Sequence, residues 1–253
     1  GLPYANFITG QGDGLDVELI KLFAAHLGVH YEFVPTDWGT IIGDLTGKTI
    51  AVKGADVQVT GQAPVKGDLL ANGLTVLAWR EKILDFSTPT FPTQVWLVVK
   101  SDSPLTPVAP TGDLAKDIAL TRGKIQGLTL LTKAGTCLDP NLFDLPSAGA
   151  QGRLFPGSLN DLAPAVIMGE AGATLLDVPD ALVALQKYPG KIKIVGPMSG
   201  PQEMAVGFAK ESAGLREEFN RFFQGLKASG RYAELVRKYF PLVFDYFPGF
   251  FAK

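Results

Sequence analysis

Residues 68–91 read DLLANGLTVLAWREKILDFSTPTF, and they hold the groups best suited to recognise an anion. Asn72, Gly73 and Thr75 follow a short apolar run, and Arg80 stands five residues beyond Thr75. A Gly–Thr turn at the C-terminal end of a strand exposes backbone groups where open α/β sheets bind ligands. Arginine offers a planar fork of N–H donors that matches a carboxylate. By residue type alone, an arginine beside Glu81 and Asp85 is more often half of a surface ion pair.

A second cluster lies further along. Residues 132–137 read TKAGTC and residues 174–181 read TLLDVPDA. Asp177 stands just before Val178 and Pro179, as a helix cap does. Cys137 is the single cysteine, so no internal disulfide forms, and no histidine is near it in sequence to make it a nucleophile. The two histidines, His26 and His30, fall near the end of the first expected helix, where a surface role is the ordinary one. No Cys/His cluster has metal spacing. No catalytic residue, metal site or cofactor is expected. Tyr4 and Trp38, by type alone, are ordinary core aromatics.

The elements that position these residues alternate between strand and helix. Residues 15–27 are apolar at helical spacing, with Asp16 and Glu18 in the first turn and Gly28 as a stop. Strands are expected at 29–34, 68–71, 93–99, 128–131, 153–155, 173–176 and 191–195. Helices are expected at 38–45, 158–168 with Ser158 as cap, 178–187, and 212–239 with a break at Gly230. β-formers around Lys53-Gly54 mark residues 46–67 as a surface hairpin. This alternation implies an α/β protein of mostly parallel sheets covered by helices. The pattern runs twice, which suggests two lobes joined by extended linkers near 96–102 and 194–199.

Composition narrows the class. The chain has 253 residues, 46% hydrophobic and 19% charged, enough for a buried core. Its 23 basic and 25 acidic residues leave a net charge of −2, which gives no argument for nucleic acid or an anionic membrane. No apolar run reaches transmembrane length. The chain begins at Gly1 with no signal peptide in view, which is compatible with a processed upstream segment.

The pattern G-x-T-x-x-x-x-R followed by D-F-S-x-P, from Gly73 to Pro89, resembles the signature of family 3 extracellular solute-binding proteins. These are periplasmic amino-acid receptors of ABC importers with a type II periplasmic-binding fold. The likeness extends to GLDVELIKLFAAHLG at 14–28, YEFVPTDWGTIIGDL at 31–45, TKAGTC at 132–137, LND at 159–161 and TLLDVPDA at 174–181. It covers nearly the whole chain except 46–67.

The resemblance implies two lobes, 1–97 with 197–253 and 98–196, closing over a zwitterion in the cleft between them. Arg80 would grip the ligand α-carboxylate with Thr75. Thr136 and the Cys137 amide would donate from a helix N-terminus. The Gly73 carbonyl would accept from the α-ammonium, and Asp177 would pair with it. Tyr4 and Trp38 would sandwich the side chain, with Lys133 at a position that contacts it. The implied partners are a small-molecule amino acid or related carboxylate and a membrane ABC permease, with no nucleic acid. The implied state is a monomer in the periplasm or another extracytoplasmic space.

The sequence departs from the pattern in places. Leu77-Ala78-Trp79-Arg80 replaces the usual T-P-E-R turn, and the hairpin at 46–67 is an insertion. The family's first strand ordinarily precedes the Tyr4 region, and little of it is present. Leu176 beside Asp177 suggests apolar surroundings for the ligand, whereas Lys133 suggests an acidic tip. Two other functions share the fold. A cyclohexadienyl-dehydratase-like enzyme needs an acid three residues after the aspartate, where Asp180 stands as Asp rather than Glu. A sensory module of a membrane receptor would bind the same ligands. An assay with prephenate tests the first, and genomic neighbours separate the second.

Overall fold

The computed structural model describes residues 4–252. The chain forms two units, one of residues 1–92 and 203–253, the other of residues 93–202.

The first unit opens with α1 (Leu15–Leu27). Gly28 ends it in the left-handed conformation at φ +69°, and its N–H returns to the carbonyls of Ala24 and Ala25. A short α2 (Ile41–Thr46) precedes a hairpin of β1 (Lys48–Lys53) and β2 (Asp56–Gln62), paired from Lys48↔Gln62 to Lys53↔Asp56. The chain then makes the one-turn helix α3 (Ala78–Glu81), β3 (Asp85–Phe86) and β4 (Phe91–Thr93), through which it leaves the unit.

The second unit is built on a five-stranded sheet. Its strands are β5 (Val95–Lys100), β6 (Thr129–Thr132), β7 (Gln151–Leu154), β8 (Ala173–Asp177) and β9 (Ile192–Pro197). The helices α4 (Leu114–Arg122), α5 (Leu162–Ile167) and α6 (Val178–Lys187) accompany it. The order is β7-β6-β8-β5-β9, parallel through the first three strands and antiparallel at β8-β5 and β5-β9. The run Val95 to Val99 is wholly buried, as a strand covered on both faces requires.

The chain returns through β10 (Gln202–Met204) and completes the first unit with β11 (Gly207–Phe208), α7 (Ala213–Ala228), α8 (Arg231–Tyr239) and α9 (Val243–Tyr246). Phe23 meets Phe219 edge to face at 5.2 Å, and Phe223 meets Tyr232 at 4.7 Å. Phe7, Phe91 and Phe240 form a second aromatic knot. These rings fill the core that α1, α7 and α8 enclose.

Several expectations are corrected. The second unit's sheet is mixed rather than mostly parallel, and the first unit's strand pairs β1-β2 and β3-β11 are antiparallel. Residues 29–34 form no strand, and Val29 and Phe33 are exposed. Residues 68–71 contribute only a single bridge, Leu70↔Gly207. The segments 96–102 and 194–199 are not linkers. Most of each lies in β5 or β9, neighbours that pair from Trp96↔Pro197 to Lys100↔Ile192. The division between the units falls at 92/93 and 202/203. Helix α4 was not foreseen.

Candidate functional site

In the first unit, the turn from 72 to 80 is fixed from several sides. Gly73 has φ +68°, and a Cβ there would stand 2.6 Å from a carbon of the Phe7 ring and 2.7 Å from one of Tyr4. Only glycine suits both the conformation and the space. Its N–H donates to Asp16 Oδ2 at 2.7 Å, so a carboxyl of α1 holds the loop from beneath. Asp16 is 4% exposed, and burial pushes its carboxyl up to about 7 against the lowering effect of the Gly73 N–H. The sequence placed Asp16 only in the first helical turn and missed this contact.

Arg80 is 2% exposed. Its Nη1 donates to the Thr75 carbonyl at 2.8 Å. Its guanidinium lies 5.4 Å from the Trp38 ring and 5.2 Å from the Trp79 ring, both within cation–π range. Asp85, the alternative surface partner, instead takes Lys210 at 3.2 Å. Trp79, a departure from the family turn, is therefore one of the faces that hold the arginine. Thr75 is buried beside it and bridges to Met204.

Tyr4 and Trp38 are brought together, but not as parallel jaws. Their rings meet edge to face at 6.0 Å and 88°, while Tyr4 stacks on Phe7 at 5.8 Å. The expected sandwich is corrected to a wall, because rings in contact leave no slot between them. A narrow recess opens beside that wall, lined by Tyr4, Thr36, Asp37, Trp38, Ile41 and Asn72.

In the second unit, parallel pairing does the positioning. Leu131 of β6 lies against Thr174 of β8, so the turn after β6 and the start of α6 after β8 share one end of the sheet. That juxtaposition joins residues 40 apart: the Cys137 thiol donates to Asp177 Oδ2 at 3.7 Å. Asp177 is 1% exposed, and its Oδ1 caps α6 by accepting from the Asp180 N–H at 3.1 Å.

The turn is tied internally. Thr136 Oγ1 donates to the Lys133 carbonyl at 2.8 Å and accepts from the Leu138 N–H at 3.0 Å. Lys133 Nζ donates to the carbonyls of Phe155 at 3.2 Å and Gly157 at 2.8 Å. Two expectations change here. Thr136 and Cys137 do not stand at an α-helix N-terminus; the turn leads only into a 3-10 turn at Pro140–Leu142, capped by Asp139. The Lys133 ammonium is committed to main-chain carbonyls rather than left for a ligand side chain. Asp180, the candidate acid of the enzyme reading, lines a narrow recess with Asn160, Leu176, Lys187 and Tyr188, and its N–H is bound to Asp177.

Among the described residues, no group of three or more His, Cys, Asp or Glu side chains could hold a metal ion. No helix of the described residues is long and apolar enough to cross a membrane.

Two α/β units, one carrying a buried arginine at a Gly–Thr turn, define a ligand-binding protein of the type II periplasmic-binding fold. Residues 2–63 and 61–242 match the family of bacterial extracellular solute-binding proteins, family 3, and the chain belongs to it. It is 28% identical over 239 residues to the membrane-bound lytic murein transglycosylase F of Desulfosudis oleivorans, covering 92% of this chain and 46% of that protein. The chain thus spans about half the length of that relative. It is 26% identical over 234 residues to the L-cystine-binding protein TcyJ of Escherichia coli K12, covering 91% of this chain and 75% of that one. Its fold matches the crystal structure of the ancestral amino acid-binding protein AncCDT-1, a precursor of cyclohexadienyl dehydratase. That match has a TM-score of 0.68 and 25% identity, over 90% of each chain: 94% of this one and 91% of the other.

Proposed function

We propose that this chain captures a free amino acid outside the cytoplasm and presents it to a membrane ABC permease, with no chemistry done to the ligand. Arg80 and Thr75 bind the α-carboxylate, Asp177 and the Gly73 carbonyl bind the α-ammonium, and Tyr4 and Trp38 wall the side chain. The backbone of the Thr136–Cys137 turn completes the set. A zwitterion needs a fixed cation, a fixed anion and apolar walls. The observation that carries this reading is Arg80, buried between two indole rings and held by the Thr75 carbonyl. A guanidinium fixed in that way is preorganised to receive a carboxylate.

Relatives include a transglycosylase and a dehydratase precursor, so an enzyme is the rival. Where that enzyme needs its acid this chain has Asp180, one carbon shorter than glutamate, and this speaks for capture over dehydration.

The test is a thermal-shift screen of refolded, ligand-stripped protein against the amino acids, prephenate and related acids. A ligand that binds only the native form raises the midpoint by mass action. A shift with one class of amino acid is expected. A shift only with a carboxylic acid lacking an amine, or turnover of prephenate, overturns the reading.

A further inference from the structure

The recess beside Gly73 contains a polar group with no partner in the folded unit. Asn72 is 7% exposed, and its Oδ1 is buried without a hydrogen bond among the described residues. Buried carbonyl oxygens are almost always met, and leaving one unmet is costly. The main chain that aims this side chain is held in place, because the next amide, Gly73 N–H, is bound to Asp16 at 2.7 Å. Asn72 faces the same recess as Tyr4 and Trp38, where the amino-acid reading puts the ligand side chain.

Two other polar side chains of the lining also accept, Thr36 and Asp37, whereas the Trp38 indole N–H and the Tyr4 hydroxyl are of donor type. Thr36 donates its hydroxyl proton to Asp44 Oδ2 at 2.5 Å, which leaves its oxygen as an acceptor. Asp37 accepts from the Gly39 N–H at 2.8 Å and the Thr40 N–H at 3.1 Å, and it brings a negative charge. Among the described residues, no lysine or arginine lines the recess. The lysine expected to meet a ligand side chain, Lys133, is committed to two carbonyls of its own unit.

We infer that Asn72 sets the ligand preference of this site: its buried carbonyl accepts a hydrogen bond from the ligand side chain. The ligand is then an amino acid whose apolar stem ends in an N–H donor, an amide or a cation, and not an acidic or purely aliphatic one. This rests on the amino-acid reading above. A donor-bearing ligand supplies the missing hydrogen bond, whereas an apolar isostere leaves the oxygen buried and unmet.

The test is calorimetric titration of the refolded, ligand-stripped chain with two matched pairs, glutamine against methionine and lysine against norleucine. The wild type is expected to bind at least one donor-bearing member about tenfold or more tighter than its isostere. Asn72→Leu should bring that ratio close to one. Asn72→Asp, which keeps an acceptor and adds charge, should retain it and favour lysine. The wild-type ratio and Asn72→Asp decide the matter even where Asn72→Leu does not fold. A folded Asn72→Leu with an unchanged ratio overturns the inference, as does a wild type that binds an acidic or aliphatic amino acid best. Binding that is lost in Arg80→Ala but has a ratio indifferent to residue 72 overturns this inference alone. A wild type that binds no amino acid overturns the reading beneath it as well.

Discussion

The two units hold their candidate groups by different means. In the first, Arg80, Gly73 and Tyr4 are fixed by aromatic faces and by one buried carboxyl beneath the loop. In the second, Thr136 and Asp177 are held by hydrogen bonds to the main chain of their own turn and helix, and Lys133 by carbonyls of the segment after β7. Packing and one main-chain hydrogen bond fix the orientation of the arginine fork. Hydrogen bonding within a turn uses the very donors and acceptors a ligand would need. The first unit thus positions its groups mainly by packing, and the second mainly by hydrogen bonds to main chain.

The largest effect that sharpens this contrast comes from Asp16. Its carboxyl rises from 3.8 to about 7, and the folded chain therefore holds the proton more tightly than the unfolded one. The stabilisation is complete below pH 3.8 and is lost as pH rises through about 7. The change is on the order of 4 kcal/mol. Tyr232 lies near enough that burial and the Asp16 charge together raise its phenol well above the usual range. Asp16→Asn keeps an oxygen for the Gly73 N–H and removes the titration. Urea unfolding between pH 3.8 and about 7 should show the wild type losing stability as pH rises and the variant far less. Equal slopes would mean that the carboxyl does not support the loop as described.

Next comes Arg80→Ala. It should weaken binding of the cognate amino acid by at least about 2 kcal/mol, because a desolvated carboxylate loses its charged partner. Calorimetry reads this directly, and wild-type affinity in the variant removes Arg80 from the site. Gly73→Ala follows. It forces a side chain into φ +68° and against the rings of Phe7 and Tyr4. A loss of about 1–3 kcal/mol in stability is expected. A thermal midpoint equal to the wild type would show that the aromatic wall yields, and the packing account of this unit would fail.

How far these residues were legible depended on distance along the chain. Helix α6 was readable at 178–187 from Asp177 and Pro179 at its start, and α7 and α8 from the break at Gly230. The hairpin of β1 and β2 was readable from its β-formers about Gly54. Helix α4 was not, because its buried residues are Asp117 and Thr121 and no apolar stripe marks it. Residues 29–34 carry β-formers, yet no ladder forms on them in the structure. The turn that holds Arg80 was legible as G-x-T-x-x-x-x-R. Its supports were not: Asp16 reaches Gly73 across 57 residues, and Cys137 reaches Asp177 across 40. Contacts of that span follow from strand order and helix packing, which no local pattern contains.

Lys133 offers the smallest effect and the finest division between the units. Sequence placed it at a ligand side chain, whereas the structure ties its ammonium to the carbonyls of Phe155 and Gly157. If that tie is its role, Lys133→Met keeps the aliphatic stem and removes two hydrogen bonds that join the turn to Phe155 and Gly157. Stability should fall by about 1 kcal/mol while the affinity for the cognate amino acid changes little. Urea unfolding and calorimetry on one preparation separate the two quantities. A selective loss of affinity without a loss of stability would mean that the ammonium leaves its carbonyls to meet the ligand. The second unit would then grip with a charge of its own, and the division drawn from the two modes of support would not hold.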